Sequence, residues 1–200
     1  MKIGLLGGTF DPIHNGHLTI AEEARKKLEL DKVVFIPARH PWLKADRDIT
    51  DSQHRLAMVR LATASNPHFE VSTAELARPG PTYTIDTVEA FKTESGSLDD
   101  IYFIAGSDAI TDLPRWKDPE RVVALCQIVG IGRPGAPDID IEALKPLIHG
   151  VSDCLRPVDI PPIDISSTAI RERVKAGLSI RDMVPPEVED YVVEHGLYLD

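Results

Sequence analysis

Apolar residues fall along the chain in short blocks separated by longer stretches of mixed, helix-like character. Blocks of strand length occur at residues 2–6, 32–37, 69–72, 101–105 and 127–131. Between the first two, Leu18, Ala21, Ala24, Arg25 and Leu28 recur at helical spacing. That stripe lies against a sheet, while Glu22, Glu23, Lys26 and Lys27 face water. Further helices start near Asp51 or Ser52, near Thr84 with Ile85, Val88 and Phe91 on one face, and at Asp118-Pro119, where a cap and a first-turn proline coincide. Strands alternating with helices predict an α/β fold with a mostly parallel sheet.

Beyond residue 131 the pattern changes. Pro134, Pro137, Pro146, Pro157, Pro161 and Pro162 break the chain into loops and short strands. Two helices then close it, one from Ser166 or Ser167 to Ala176 with Gly177 as its stop, the other from Pro185 through Tyr191 to His195 with Gly196 behind it. At roughly 100–200 residues per domain, the chain is expected to form one domain over residues 1–200, with a small helical part from about residue 166.

Composition narrows the function. The 200 residues are 42% hydrophobic and 27% charged, the balance of a chain that buries a core. With 22 Lys+Arg against 32 Asp+Glu the formal charge is 22 − 32 = −10, which argues against nucleic acid as a partner. No apolar run approaches the roughly 18 residues of a membrane span, and the longest candidate, residues 122–131, is interrupted by Gln127 and Gly130. The N-terminus lacks a signal-peptide core, so a cytoplasmic location is expected. Cys126 and Cys154 are isolated, without a CxxC pair, and read as apolar residues of a reducing compartment.

The chemistry concentrates at residues 7–18, between the first strand and the first helix. Gly7 and Gly8 lack Cβ atoms and let the backbone turn sharply and approach an anion, although glycines alone also make a plain tight turn. His14 and His17 stand three apart at a helix start, which puts both imidazoles on one side beside the positive end of the helix dipole. That arrangement suits a phosphate chain; a zinc ion is the alternative, for which no third ligand stands at motif spacing. A second cluster, Ser166-Ser167-Thr168 followed by Arg171, offers hydroxyls, unsatisfied N–H groups at a helix start and a forked cation one turn on. Read alone, it is also an ordinary serine cap with a solvated arginine.

Together these segments carry a resemblance. GGTFDPIHNGH is similar to the (T/H)xGH signature of the nucleotidylyltransferase superfamily, and the chain resembles the bacterial nicotinate-nucleotide adenylyltransferases. Ile165 to Arg171 is similar to that family's ISSTxIR motif, Thr82 to Thr87 to its (S/T)YTxxT segment, Gly106-Ser107-Asp108 to its GxD turn, and Ile131 to Gly135 to its (V/I)xRPG segment. The resemblance runs from Met1 to about Tyr198. It departs at His40-Pro41-Trp42-Leu43-Lys44, where many members carry PPHK: leucine replaces the histidine, whose role cannot be moved to His40, and Trp42 is an added stacking surface or a loop cover.

The resemblance implies a Rossmann-like, doubly wound sheet and transfer of AMP from ATP to nicotinate mononucleotide, giving deamido-NAD and pyrophosphate in NAD biosynthesis. It assigns ATP to Gly7, Gly8, Thr9, Phe10, His14, His17, Gly106, Asp108, Arg133, Ser166, Ser167, Thr168 and Arg171. Catalysis falls to His14, His17, Lys44 and Arg171. Nicotinate mononucleotide falls to Lys44, Tyr83, Thr84 and Trp116, the tryptophan stacking on the pyridine ring unless it is a core residue. Mg²⁺ arrives with ATP, held by substrate and water, with no protein metal site. Neither nucleic acid nor membrane is an expected partner, and a homo-oligomer stays open. Competing readings are adenylylation of nicotinamide mononucleotide or phosphopantetheine, a zinc-dependent hydrolase built on His14 and His17, and a non-catalytic nucleotide-binding regulator.

Overall fold

A computed structural model describes residues 1–39, 49–94, 96, 99–132 and 138–199. In chain order the elements are β1 (Lys2–Gly8), α1 (Asn15–Leu28), β2 (Lys32–Pro37), α2 (Ser52–Thr63), β3 (Phe69–Val71), α3 (Ala74–Ala77), α4 (Thr84–Glu94), β4 (Asp100–Gly106) and α5 (Ser107–Thr111). A 3₁₀ turn at Leu113–Arg115 leads to α6 (Pro119–Leu125), β5 (Gln127–Ile131), α7 (Ile141–Leu144), α8 (Val151–Cys154), β6 (Leu155–Val158), α9 (Ser167–Lys175) and α10 (Pro186–Glu194). The strands form one sheet in the order β3-β2-β1-β4-β5-β6, and all five pairings are parallel.

Why these runs are continuously apolar follows from that arrangement. A parallel sheet covered on both faces buries both sets of alternating side chains. In β2, Val33 and Phe35 join α1, α2, α9 and α10 on one face, while Val34 and Ile36 join α4 to α8 on the other. β4 divides in the same way, Ile104 to the first face and Ile101, Phe103 and Ala105 to the second.

Two differences from the sequence reading have clear causes. Gly7 and Gly8 are not the turn itself but the last residues of β1, paired with Ile36 and Pro37; the bend starts at Thr9. Arg25 leaves the apolar stripe of α1, where the buried residues are Gly16, Ile20, Ala21 and Ala24, and instead grips Glu22 through two bonds of 2.9 and 2.8 Å. That contact holds the Glu22 carboxyl at about 2. One of the short strands expected in the proline-broken region is β6, which accommodates Pro157 because it lies at the sheet's edge. No described helix is long and apolar enough to cross a membrane.

In an open sheet wound this way, the order reverses between β1 and β4, and ligands enter the crevice beyond the carboxyl ends of those strands. Those ends are Gly8 and Gly106.

Candidate functional site

The crevice is built around the turn from Thr9 to His14. His14 caps α1 with extended backbone and is 6% exposed. Its N–H donates to Nδ1 of His17 at 3.3 Å, and the two rings stack with centroids 3.7 Å apart. Because Nδ1 of His17 accepts, the neutral ring carries its proton on Nε2, which makes that nitrogen the donor. No acidic side chain occupies the first turn of α1, so the positive end of its dipole is not cancelled locally. The close approach depends on Gly16: a Cβ there would lie 2.9 Å from Nδ1 of His14 and 2.9 Å from Ile163. Gly8 answers the same need, since a Cβ would meet the Phe10 ring at 2.8 Å.

Phe10 holds φ at 50°, in the left-handed region, while 1% exposed. A bulky residue stays there only when its neighbours over-determine it. They do. Arg55, itself 1% exposed, donates to the carbonyls of Thr9 (2.7 Å), Ala38 (2.8 Å) and Thr50 (2.8 Å). Arg171 donates to the Asp11 carbonyl at 2.7 Å, and the Ser167 hydroxyl to the Pro12 carbonyl at 2.9 Å. The Asp11 carboxylate accepts from the Tyr198 hydroxyl at 2.8 Å and from the Thr50 N–H at 3.3 Å. At the far end, Asn15 donates from backbone and side chain to Met183 and Asp182. Burial pulls the Arg55 guanidinium below its ordinary value against the opposing pull of Asp11, Tyr198 and Asp51. Burial and Asp11 together push the Tyr198 phenol far up, so it remains a donor.

α9 therefore begins against the same turn as α1. Ser166 caps it through Ala169 N–H at 3.1 Å, its first turn carries no acid, and Thr168 accepts a long 3.4 Å contact from Arg171. Across the crevice, Gly106 caps α5, Ser107 is buried and Asp108 is exposed.

Residues of the expected pyridine subsite gather at the start of α4. Tyr83 is half-buried with Lys117 Nζ 4.8 Å from its ring centroid, and Lys117 pairs with Asp86 at 3.2 Å. Thr84 opens the helix. Beneath it, the Thr87 hydroxyl donates to Glu75 at 2.7 Å, and burial raises the Glu75 carboxyl above its ordinary value. Trp116 is placed in the core, 9% exposed and edge-on to Phe103 at 5.7 Å. Phe103 in turn faces the end of β1, where a Cβ on Gly7 would lie 3.6 Å from its ring. Lys44 and Arg133 lie outside the described residues, as do His40, Trp42 and Leu43.

Sequence reasoning missed Arg55, Asp11 and Tyr198. For Arg55 a signal existed, since it stands at helical spacing with the buried Met58, Val59 and Ala62 on the apolar stripe of α2. Among the described residues no three His, Cys, Asp or Glu side chains converge to hold a metal. The two cysteines are buried, with thiols pushed up to about 12 (Cys126) and about 11 (Cys154) by desolvation.

Comparison with known proteins matches residues 5–173 to the cytidylyltransferase-like family model. A protein of Roseiflexus sp. named "Probable nicotinate-nucleotide adenylyltransferase" is 48% identical over 196 residues, covering 98% of this chain and 97% of its own. One of the same name from Dehalococcoides mccartyi is 42% identical over 198 residues, covering 99% and 97%. Among solved structures, Plasmodium falciparum nicotinic acid mononucleotide adenylyltransferase complexed with NaAD superposes with a TM-score of 0.77 at 24% identity, over 98% of this chain and 97% of that one, and shares the fold. The family match takes in both sides of the crevice, from β1 to the first turns of α9. The chain belongs to the cytidylyltransferase-like family and groups within it with the nicotinate-nucleotide adenylyltransferases.

Proposed function

We propose that the protein transfers the adenylyl group of ATP to nicotinate mononucleotide, yielding deamido-NAD and pyrophosphate. The observation that carries this reading is the convergence of two helix starts, α1 with His14 and His17 and α9 with Ser166 to Thr168 and Arg171, on one buried turn. Helix starts gather unsatisfied N–H groups and positive dipole ends, the apparatus for holding a polyphosphate.

The acceptor is a phosphate whose second pKa is near about 6, so it is already mostly dianionic at neutral pH and no general base is needed. One of its oxygens forms a bond to the α-phosphorus of ATP while the bond from that phosphorus to the bridging oxygen breaks. The electron pair leaves with pyrophosphate. Catalysis reduces to alignment and neutralisation of growing charge. Nε2–H of His17 and the His14 ring serve the α- and β-phosphate oxygens. Arg171 has five N–H donors, so holding Asp11 and Thr168 leaves others for the leaving group, a task shared with Lys44 and Arg133. Gly7, Gly8, Thr9 and Phe10 shape the floor beneath the phosphates; Gly106 and Asp108 receive the ribose. Tyr83 and Thr84 meet the nicotinate, and Trp116, beside Phe103, is the residue assigned to stack on its ring.

The turn's one carboxylate, Asp11, is already taken by Tyr198 and Thr50, and the other side chains that converge there are donors, so the site fits phosphates rather than a bare cation. Mg²⁺ would be held by ATP and water rather than by these side chains, and would supply neutralisation of charge on the leaving pyrophosphate.

Pyrophosphate release from MgATP with nicotinate mononucleotide, run beside nicotinamide mononucleotide and phosphopantetheine, tests the proposal. A strong preference for the nicotinate substrate is expected. Release only with another acceptor keeps adenylyl transfer and overturns the acceptor; silence with all three overturns the reaction.

A further inference from the structure

The turn that carries His14 and His17 is fastened from outside the sheet, and the most distant fastening comes from the segment after α10. There Tyr198 holds φ at 67° and brings its hydroxyl to Oδ1 of Asp11, 187 residues away in sequence. Asp11 is 5% exposed and sits in the midst of the turn, directly after the strained Phe10. Its other carboxylate oxygen accepts from Thr50 N–H, and its carbonyl from Arg171. On the other side of Phe10, the Thr9 carbonyl is held by Arg55. The strained residue is thus gripped on both flanks. One grip comes from α2; the other combines α9 with the C-terminal segment.

We propose that Tyr198 is a positioning residue for adenylyl transfer: through Asp11 it fixes the backbone between Phe10 and His14, and so sets where the two imidazoles stand. The inference rests on the adenylyl-transfer reading for its consequence but on the turn's geometry for its substance. Several features support it. A buried carboxylate is costly unless it is bonded, and removing the phenol oxygen leaves Oδ1 without its shortest donor. The phenol is held protonated by burial and by Asp11, so it donates throughout any working pH range. Arg55 faces both Asp11 and Tyr198 electrostatically, which makes the three a connected network rather than separate contacts. His14 follows Asp11 by only three residues, and the His14 N–H itself donates to His17. A displacement of the turn therefore reaches both rings.

Tyr198→Phe removes one oxygen and keeps the ring, so the chain retains its packing. The expected result has two parts. In spectra of the histidine rings, the His14 and His17 resonances move while those of His68, bonded to Asp31 at the opposite end of the sheet, and of the exposed His149 stay in place. Turnover falls about tenfold, as expected for a small misplacement of donors, while KM for ATP and for nicotinate mononucleotide changes little. Asp11→Asn provides a second arm: in that background Tyr198→Phe lowers kcat by much less than in the wild type, because the two act as one unit. Unmoved His14 and His17 resonances, or an unchanged kcat, overturn the proposal even if the variant melts earlier. If the wild type turns over none of the acceptors, the adenylyl-transfer reading falls instead, and the ring resonances alone decide this inference.

Discussion

The two sides of the crevice are held by different means. On the β1 side, the turn from Thr9 to His14 is fastened by short bonds from the buried Arg55, from Arg171, from Ser167 and from Tyr198. On the α4 side, the outermost fastening is Lys117, which rests on Tyr83 and pairs with Asp86 while the two charged side chains are 45% and 30% exposed. Hydrogen bonds to charged groups in buried settings contribute about 1.5–3 kcal/mol each, whereas exposed pairs contribute about 0–1 kcal/mol. One side is rigid, the other adjustable. The division matches the chemistry assigned to each: stabilising charge on a phosphorus requires donors already in place, while stacking on a flat ring tolerates adjustment.

Removing a donor from the rigid side should have the largest effect. His17→Ala is expected to lower kcat by about 10²–10³-fold, the usual cost of one preorganised donor, with a much smaller rise in KM for ATP. Steady-state kinetics over a range of ATP concentrations checks this, and equal effects on kcat and KM would remove the distinction between the two sides.

Trp116 probes the adjustable side and its limit. Trp116→Ala should cost about 3 kcal/mol of stability, because the ring is packed in the core against Phe103, and should weaken nicotinate mononucleotide binding as well. Trp116→Phe restores most of the packing. Calorimetric titration with the mononucleotide then separates the roles: unchanged affinity in the alanine variant returns Trp116 to the core alone.

Beneath the same side lies one firm point, Glu75 bonded to Thr87. Burial raises the Glu75 carboxyl above its ordinary value of 4.5, so the folded state prefers it protonated. The stability it contributes is complete below that ordinary value and is lost as pH climbs through the raised one. Glu75→Gln keeps an acceptor for Thr87 without the charge. Thermal unfolding at a series of pH values should show the variant gaining on the wild type as pH rises through this window, and holding a constant offset below it. A gain that shrinks with rising pH would sink the assignment.

The smallest effect is expected from Lys117→Ala. Loss of one exposed pair and one ring contact should change stability by about 0.5–1 kcal/mol and leave kcat nearly untouched. A large fall in kcat would make the adjustable side as rigid as the other.

How far the chain could be read in advance follows the same division. The strands at residues 2–6, 32–37, 101–105 and 127–131 were legible because burial on both faces makes each a nearly continuous apolar run, while that at 69–72, an edge strand with Glu70 exposed, showed only in the alternation of Phe69 and Val71. β6 was legible only as one of the short strands expected among the prolines, without bounds, for its four residues include Arg156 and Pro157. His14, His17 and the serine cap of α9 stood out because donors at helix starts follow local rules. The fastening of the turn did not, since Arg55 and Tyr198 act across 46 and 187 residues, a distance at which no local pattern operates. Gly7 and Gly8 misled in a smaller way: the bare Cα of Gly8 makes room for the Phe10 ring, a Cβ on Gly7 would meet Phe103 only at ordinary contact distance, and the chain bends only after them. Trp116 reads as a stacking surface for the pyridine ring with a core residue as the alternative, and only its contact with Phe103 shows that it packs in the core.

The sheet's two rims carry a further consequence. β3 offers only three residues, and β6 only four, with Pro157 lacking an N–H in the middle of the rim and Arg156 beside it. Neither edge presents a row of donors and acceptors long enough to template a foreign strand. Growth of the sheet by addition of strands from other copies is blunted at both ends, and the net charge of −10 sets those copies against one another before they meet. A protein whose interior is so continuously apolar along its strands thereby keeps that character from spreading between molecules.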